Sequence, residues 1–205
     1  MTNVSDYNPV NIVGFSTNPD KMSCSFLLTM YFSSSVCNNI SAHSQTHIEY
    51  DRVINGIRVH VNFVTCSPND ENDTKNSKMY ENGDTYALFI MLDNPKAEEN
   101  FLKLLSSIKK NCSTEKKIYI IGVYKEKEKI IEKLNEENIT TVLDAQRIYY
   151  ELLMVDLNNK TNFVSIVDMI TMEGLHNTKY TNVIGDSNAE EDYNADASTS
   201  GCLIF

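Results

Sequence analysis

A chain of 205 residues with 41% hydrophobic residues can bury the core of one domain. Its net charge of -10 disfavours nucleic acid and anionic lipid surfaces as partners of the chain as a whole. The polar start, Met1 to Pro9, shows no signal-peptide pattern, no apolar run is long enough to span a bilayer, and Cys24, Cys37, Cys66, Cys112 and Cys202 lack Cys-x-x-Cys spacing, so a cytosolic chain with free thiols is expected.

Val10 to Gly14 predicts a short apolar strand ending at Gly14. A polar loop, Phe15 to Ser25, follows it, and then a helix carrying Phe26, Leu27, Leu28, Met30 and Tyr31. Strand, loop and helix in this order is where a phosphate-binding loop sits, with backbone N–H groups turned inward and a helix N-terminus facing the anion. Ser33 to Thr46 has no periodicity and is expected to be a loop; His43 and His47 lack a third residue at metal-ligand spacing. His47–Ile54 and Ile57–Thr65 alternate around Asn55-Gly56, the strongest short hairpin signal. Ser67 to Lys78 is polar and is expected to be a loop.

Tyr86 to Leu92 is a continuous apolar run, a strand buried on both faces. Phe101, Leu104, Leu105 and Ile108 have the spacing of an amphipathic helix starting near Pro95. Ile118–Val123 predicts another buried strand. Lys127–Glu137 predicts a charged helix with Ile130, Ile131 and Leu134 inward, while Ile139–Tyr149 carries no decisive pattern. Glu151–Val155 is the expected last strand, and Phe163, Ile166, Val167 and Ile170 predict a helix ending near Gly174. From His176 the chain turns polar and acidic, a composition that predicts a disordered tail over 176–205 after a domain over 1–175. Strands alternating with helices predict an α/β fold: a doubly wound, mostly parallel six-stranded sheet with one antiparallel hairpin.

The hairpin in second and third place, with the ending Cys202-Leu203-Ile204-Phe205, resembles the Ras superfamily of small GTPases. Asn55-Gly56 to Phe63 resembles that family's hairpin leading into its third strand. Tyr80-Glu-Asn-Gly83-Asp84 resembles the Y-x-x-G-E/D stretch before its fourth strand, and Asp93-Asn94-Pro95-Lys96 its third-helix region. The resemblance covers about Val10 to Leu175 and the last four residues.

It implies a site for GTP or GDP with magnesium, whose motifs have drifted here. Gly14 matches the first glycine of the phosphate loop, but the second glycine is missing. Lys21, Ser23 and Ser25 are the candidate phosphate and magnesium ligands. Asp20 lies in the same loop; a carboxylate about 5 Å from a phosphate charge costs roughly 3 kcal/mol at an effective dielectric of about 20. Thr65-Cys66-Ser67-Pro68 stands at D-T-A-G, so the magnesium-linked aspartate becomes Thr65 and the glycine N–H is lost at Pro68. Asn69 replaces the glutamine that orients water. Val123-Tyr124-Lys125-Glu126 stands at the guanine-reading N-K-x-D, leaving Lys125 and Glu126 as candidates, and Leu157-Asn158-Asn159 stands at S-A-K.

Two functions stay open. One is a pseudo-GTPase acting through protein partners at its switch-like loops; the other is an atypical GTP-binding switch with weak hydrolysis. An unrelated α/β enzyme finds no nucleophile–base pair beyond the thiol of Cys66. The C-a-a-X ending implies a geranylgeranyl group on Cys202, added by a prenyltransferase and shielded by a prenyl-binding carrier. The acidic tail supplies no second anchor, so attachment to the cytoplasmic face of a membrane is expected to be reversible.

Overall fold

The structure is a computed structural model and describes residues 7–17, 38–44, 47–66, 82–111 and 116–187. Seven strands form one sheet: β1 (Asn8–Ser16), β2 (Asn38–Ser44), β3 (His47–Ile54), β4 (Ile57–Cys66), β5 (Thr85–Met91), β6 (Ile118–Tyr124) and β7 (Tyr150–Asp156). Their order is β2-β3-β4-β1-β5-β6-β7. Pairs from β4 to β7 are parallel, whereas β2–β3 and β3–β4 are antiparallel. Three α-helices are described: α1 (Ala97–Asn111), α2 (Glu136–Ala145) and α3 (Lys160–Ser187).

The sequence predicts six strands and one antiparallel hairpin. Those six are present as β3-β4-β1-β5-β6-β7, and β2 is a seventh, inside the stretch expected to be a loop. Asn38 to Ser44 has no alternating apolar pattern; its backbone pairing with β3, interrupted by two register shifts, is what makes it a strand.

Alternation along each strand sorts the core into two layers. Val10, Ile12, Val59, Val61, Phe63, Phe89, Ile121 and Val155 face α3, where Phe163, Val167 and Ile170 meet them. Val13, Phe15, Leu88, Ile90 and Ile120 face α1 and α2, against Phe101, Leu104, Leu105, Ile139 and Leu143. The hairpin turn holds Asn55 at φ 50° and Gly56 at φ 80°; two positive φ values are what a two-residue turn between right-twisted strands demands.

Behind the apolar alternation of β1, β3 and β4 runs a polar row. His60 Nδ1 meets Asp51 Oδ1 at 2.7 Å, and His47 Nε2 meets Asn62 Oδ1 at 2.7 Å. Asn62 Nδ2 donates to Asn11 Oδ1 (3.1 Å), and Asp84 Oδ2 accepts from the Asn11 backbone N–H (2.7 Å) and from Asn11 Nδ2 (3.2 Å).

Two helix expectations are corrected. Lys127–Glu137 is not one helix but two 3-10 turns, Lys127–Lys129 and Glu132–Leu134. Between them Ile130 (ψ 127°) and Ile131 (ψ 129°) are extended, and Ile131 N–H donates to Leu92 O at 2.9 Å. The isoleucines turn inward because the chain is tied to the end of β5, not through helical spacing. α2 starts only at Glu136, where Asn135 Oδ1 accepts from Asn138 N–H at 2.8 Å.

α3 does not end at Gly174 but runs on to Ser187, across the expected boundary at 175/176. A Cβ on Gly174 would lie 2.7 Å from Val10 Cγ1 and 3.2 Å from Thr85 Cγ2. Glycine is there for the close approach of helix and sheet rather than as a cap. The next residue, Leu175, is 3% exposed, and Asn177 Nδ2 donates to Asp84 O at 2.9 Å.

Candidate functional site

In an open parallel sheet a ligand crevice forms at the carboxyl ends of the strands, where neighbouring strands send their connections in opposite directions. β1 and β5 are such neighbours: the strands that follow β1 lie on its β4 side, and those that follow β5 lie on its β6 side. The candidate site is therefore bordered by the ends of β1, β5, β6 and β7.

β1 passes Gly14 and continues to Ser16, which corrects the expected strand end. Gly14 lies in the ladder on both sides, opposite Thr65 in β4 and Ala87 in β5. Thr17 then extends the pairing beyond the strand. Its N–H donates to Phe89 O at 3.0 Å, and its Oγ1 accepts from Met91 N–H at 3.1 Å. Its carbonyl accepts from Asn100 Nδ2 of α1 at 2.7 Å. Thr17 is 0% exposed. Its hydroxyl and backbone groups thus bind the first residue after β1 to β5 and α1.

α1 is aimed at this border by its own start. Asn94 O accepts from Ala97 N–H (2.9 Å) and Asn94 Oδ1 from Lys96 N–H (3.0 Å). Glu98 and Glu99 occupy the first turn, and Lys109 and Lys110 the last, the signs that suit the helix dipole. Lys103 pairs with Glu99 at 2.6 Å and holds its carboxyl below the usual range, by hydrogen bond first and charge second.

At the ends of β6 and β7 the structure brings together the two loops matched to base reading. Leu157 N–H donates to Tyr124 O at 2.8 Å, and Asn158 Nδ2 donates to Lys125 O at 2.8 Å. Asp156 Oδ1 holds that asparagine in place, accepting from its N–H (2.8 Å) and its Nδ2 (2.9 Å). Both Lys125 and Glu126 are exposed. Glu126 Oε1 is 2.7 Å from Lys129 Nζ, and this hydrogen bond, followed by charge, holds the lysine above its ordinary range.

Of the sequence-predicted site residues, Gly14, Lys125 and Glu126 are described, whereas Lys21, Ser23, Ser25 and Cys202 lie outside the described residues. Lys125 and Glu126 share one corner of the border, while Gly14 is inside the sheet. One described position departs from a site for a nucleoside triphosphate with magnesium. Thr65, in place of a magnesium-linked carboxylate, is 4% exposed, and its Oγ1 is buried without a hydrogen-bond partner. Among the described residues no three His, Cys, Asp or Glu side chains gather as a metal group would need. Thr17 and Asn100, which shape the border most, were not singled out from the sequence: a threonine ending a strand and an asparagine one turn into a helix carry no motif.

Compared with family models and with curated proteins, the chain matches none. The chain is an α/β protein with a mixed seven-stranded sheet and helices on both faces. No helix among the described residues is long and apolar enough to cross a membrane.

Proposed function

We propose that the chain is a pseudo-GTPase: a Ras-like scaffold that does not turn over nucleotide and works as an interaction module, offering the loops around the carboxyl ends of β1, β5, β6 and β7 to protein partners. Support comes from the antiparallel hairpin of β3 and β4, from the parallel pairs that run from β4 through β1, β5 and β6 to β7, and from the crevice position between β1 and β5. The observation that carries the reading is the end of β1. A phosphate loop turns its first N–H groups toward the anion, whereas Thr17 N–H is engaged by Phe89 O. Catalysis of phosphoryl transfer rests on positioned donors and metal charge, and the end of β1 commits one such donor, Thr17 N–H, to the sheet.

A second reading, a genuine GTP-binding switch, is favoured by one observation. The Asn158–Lys125 bond joins the two loops matched to guanine reading. Nucleotide extraction from the purified chain, followed by titration with a fluorescent guanine nucleotide and magnesium, separates the two. The pseudo-GTPase predicts no co-purified nucleotide and a micromolar or weaker Kd, about 8 kcal/mol of binding at most. Nanomolar affinity with bound GDP or GTP would establish the switch instead.

A further inference from the structure

The two borders of the sheet are built differently. β2 pairs with β3 through two register shifts, between Asn38 and Ser41 and between Ala42 and Ser44. Irregularities of this kind blunt an edge against new strands. β7 pairs with β6 without a shift from Tyr150 to Asp156, and no strand lies beyond it among the described residues. Its sequence, Tyr150-Glu-Leu-Leu-Met-Val-Asp156, holds neither proline nor lysine, the usual guards of an edge. Leu152, Leu153 and Met154 are only partly covered, and Tyr149 just before them is 60% exposed.

The ladder shows which backbone groups face outward. Tyr149 O accepts from Ile118 N–H at 3.0 Å, and Leu157 N–H donates to Tyr124 O at 2.8 Å. Odd-numbered residues thus turn their amides toward β6, and alternation turns those of Tyr150, Leu152 and Met154 away from it.

We infer that this border is a self-association surface, on which a second copy of the chain adds its own β7 antiparallel and continues the sheet across a two-fold axis at Leu153. In that register Leu152 exchanges both backbone hydrogen bonds with the partner subunit's Met154. Glu151 falls opposite the partner's Val155, and Tyr150 opposite the partner's Asp156. No carboxylate faces another: the two Glu151 side chains are four strand positions apart, about 13 Å at roughly 3.3 Å per residue. That exceeds the Debye length of about 8 Å at physiological salt, and within each copy Glu151 is neutralised by Lys117 at 3.1 Å. The net charge of -10 opposes approach of two copies, so added salt strengthens the pairing. A foreign extended peptide has the same amides available; β7 against itself is favoured because the run from Tyr150 to Asp156 then places no carboxylate opposite another.

Sedimentation of the full chain from about 1 to about 200 µM covers the range in which a small interface assembles. Hydrogen exchange read amide by amide at both concentrations supplies the decisive pattern. The mass is expected to double. Exchange at Leu152 and Met154 is expected to slow at least about tenfold with concentration, while Glu151, Leu153 and Val155 stay protected throughout. Met154→Pro removes an outward donor and spares the β6 ladder, so it is expected to keep the chain monomeric. If that variant does not fold, the exchange pattern of the unaltered chain decides alone. A monomer at every concentration, concentration-independent exchange at Leu152 and Met154, or a dimer that survives Met154→Pro overturns the inference.

Discussion

Tyr119 is 2% exposed, and its ring lies 5.3 Å from Lys117 Nζ. Burial pushes its phenol above its ordinary range, and the charge of Glu173 pushes the same way. Lys117 is raised as well, first by its hydrogen bond to Glu151. Both folded-state values lie above the unfolded ones. Their stabilisation is therefore complete below about pH 10, and it falls as pH rises through the folded values. Urea unfolding is expected to show stability declining from about pH 10 upward, with Tyr119→Phe giving a shallower decline. A decline unchanged by that substitution would place the alkaline sensitivity elsewhere. At this scale the sequence showed the residue types but not their engagement. Lys125 and Glu126 are read from the sequence as guanine-reading candidates, yet nothing in the string announces that Glu126 pairs with Lys129, or that Thr17 ties β1 to β5.

Elements with a strong period were legible. The β3–β4 hairpin followed from alternation and Asn-Gly, β5 and β6 from uninterrupted apolar runs, and α1 from its apolar stripe. The failures share a cause: one residue type serves two physical purposes. Glycine ends helices, but it also lets a helix approach a sheet, and at Gly174 the second purpose wins. Isoleucines three and four residues from a leucine fit a helix face, but Ile130 and Ile131 turn inward from an extended backbone that Ile131 N–H ties to Leu92 O. Gly174→Ala separates these effects by sign. Helix propensity alone favours alanine by about 1 kcal/mol. The 2.7 Å approach to Cγ1 of the fully buried Val10 instead predicts overpacking of about 1–3 kcal/mol. A lowered urea midpoint with unchanged slope is the expected result, and a raised midpoint would mean the helix yields at no cost.

At the scale of the whole molecule, support of the sheet by the described residues is uneven. β1, β5, β6 and β7 carry apolar side chains toward helices on both faces. β3 and β4 give their apolar side chains to α3, and Arg52 ties β3 to that helix through both oxygens of Asp168, at 2.5 and 2.6 Å. Their other face carries His47, Glu49, Asp51, His60 and Asn62, with Val53 52% exposed. Opening of the hairpin thus exposes less apolar surface than opening of the centre. Native-state hydrogen exchange is expected to release β3 amides by local opening while β5 and β6 exchange only on global unfolding; equal protection in both would refute this gradient.

The polar row behind β1 and β4 also acts as a check against a particular assembly error. A parallel strand without a turn to its neighbour has no local feature that sets its alignment. Sliding β1 by one residue would turn its apolar side chains to the wrong layer and is excluded at once. Sliding it by two would leave valine and isoleucine facing α3 as before, so hydrophobicity is blind to that mistake. The asparagine is not: moved by two, Asn11 leaves both Asn62 and Asp84, and Val13 or Pro9 takes its place opposite the Asn62 amide. A buried amide without a partner costs about 1–3 kcal/mol, and the half-buried Asn62 less; Asp84 would lose the Asn11 side-chain donor at the same time, and with Pro9 there the backbone donor too. One asparagine in the middle of an apolar strand thus distinguishes the native alignment from its nearest competitor.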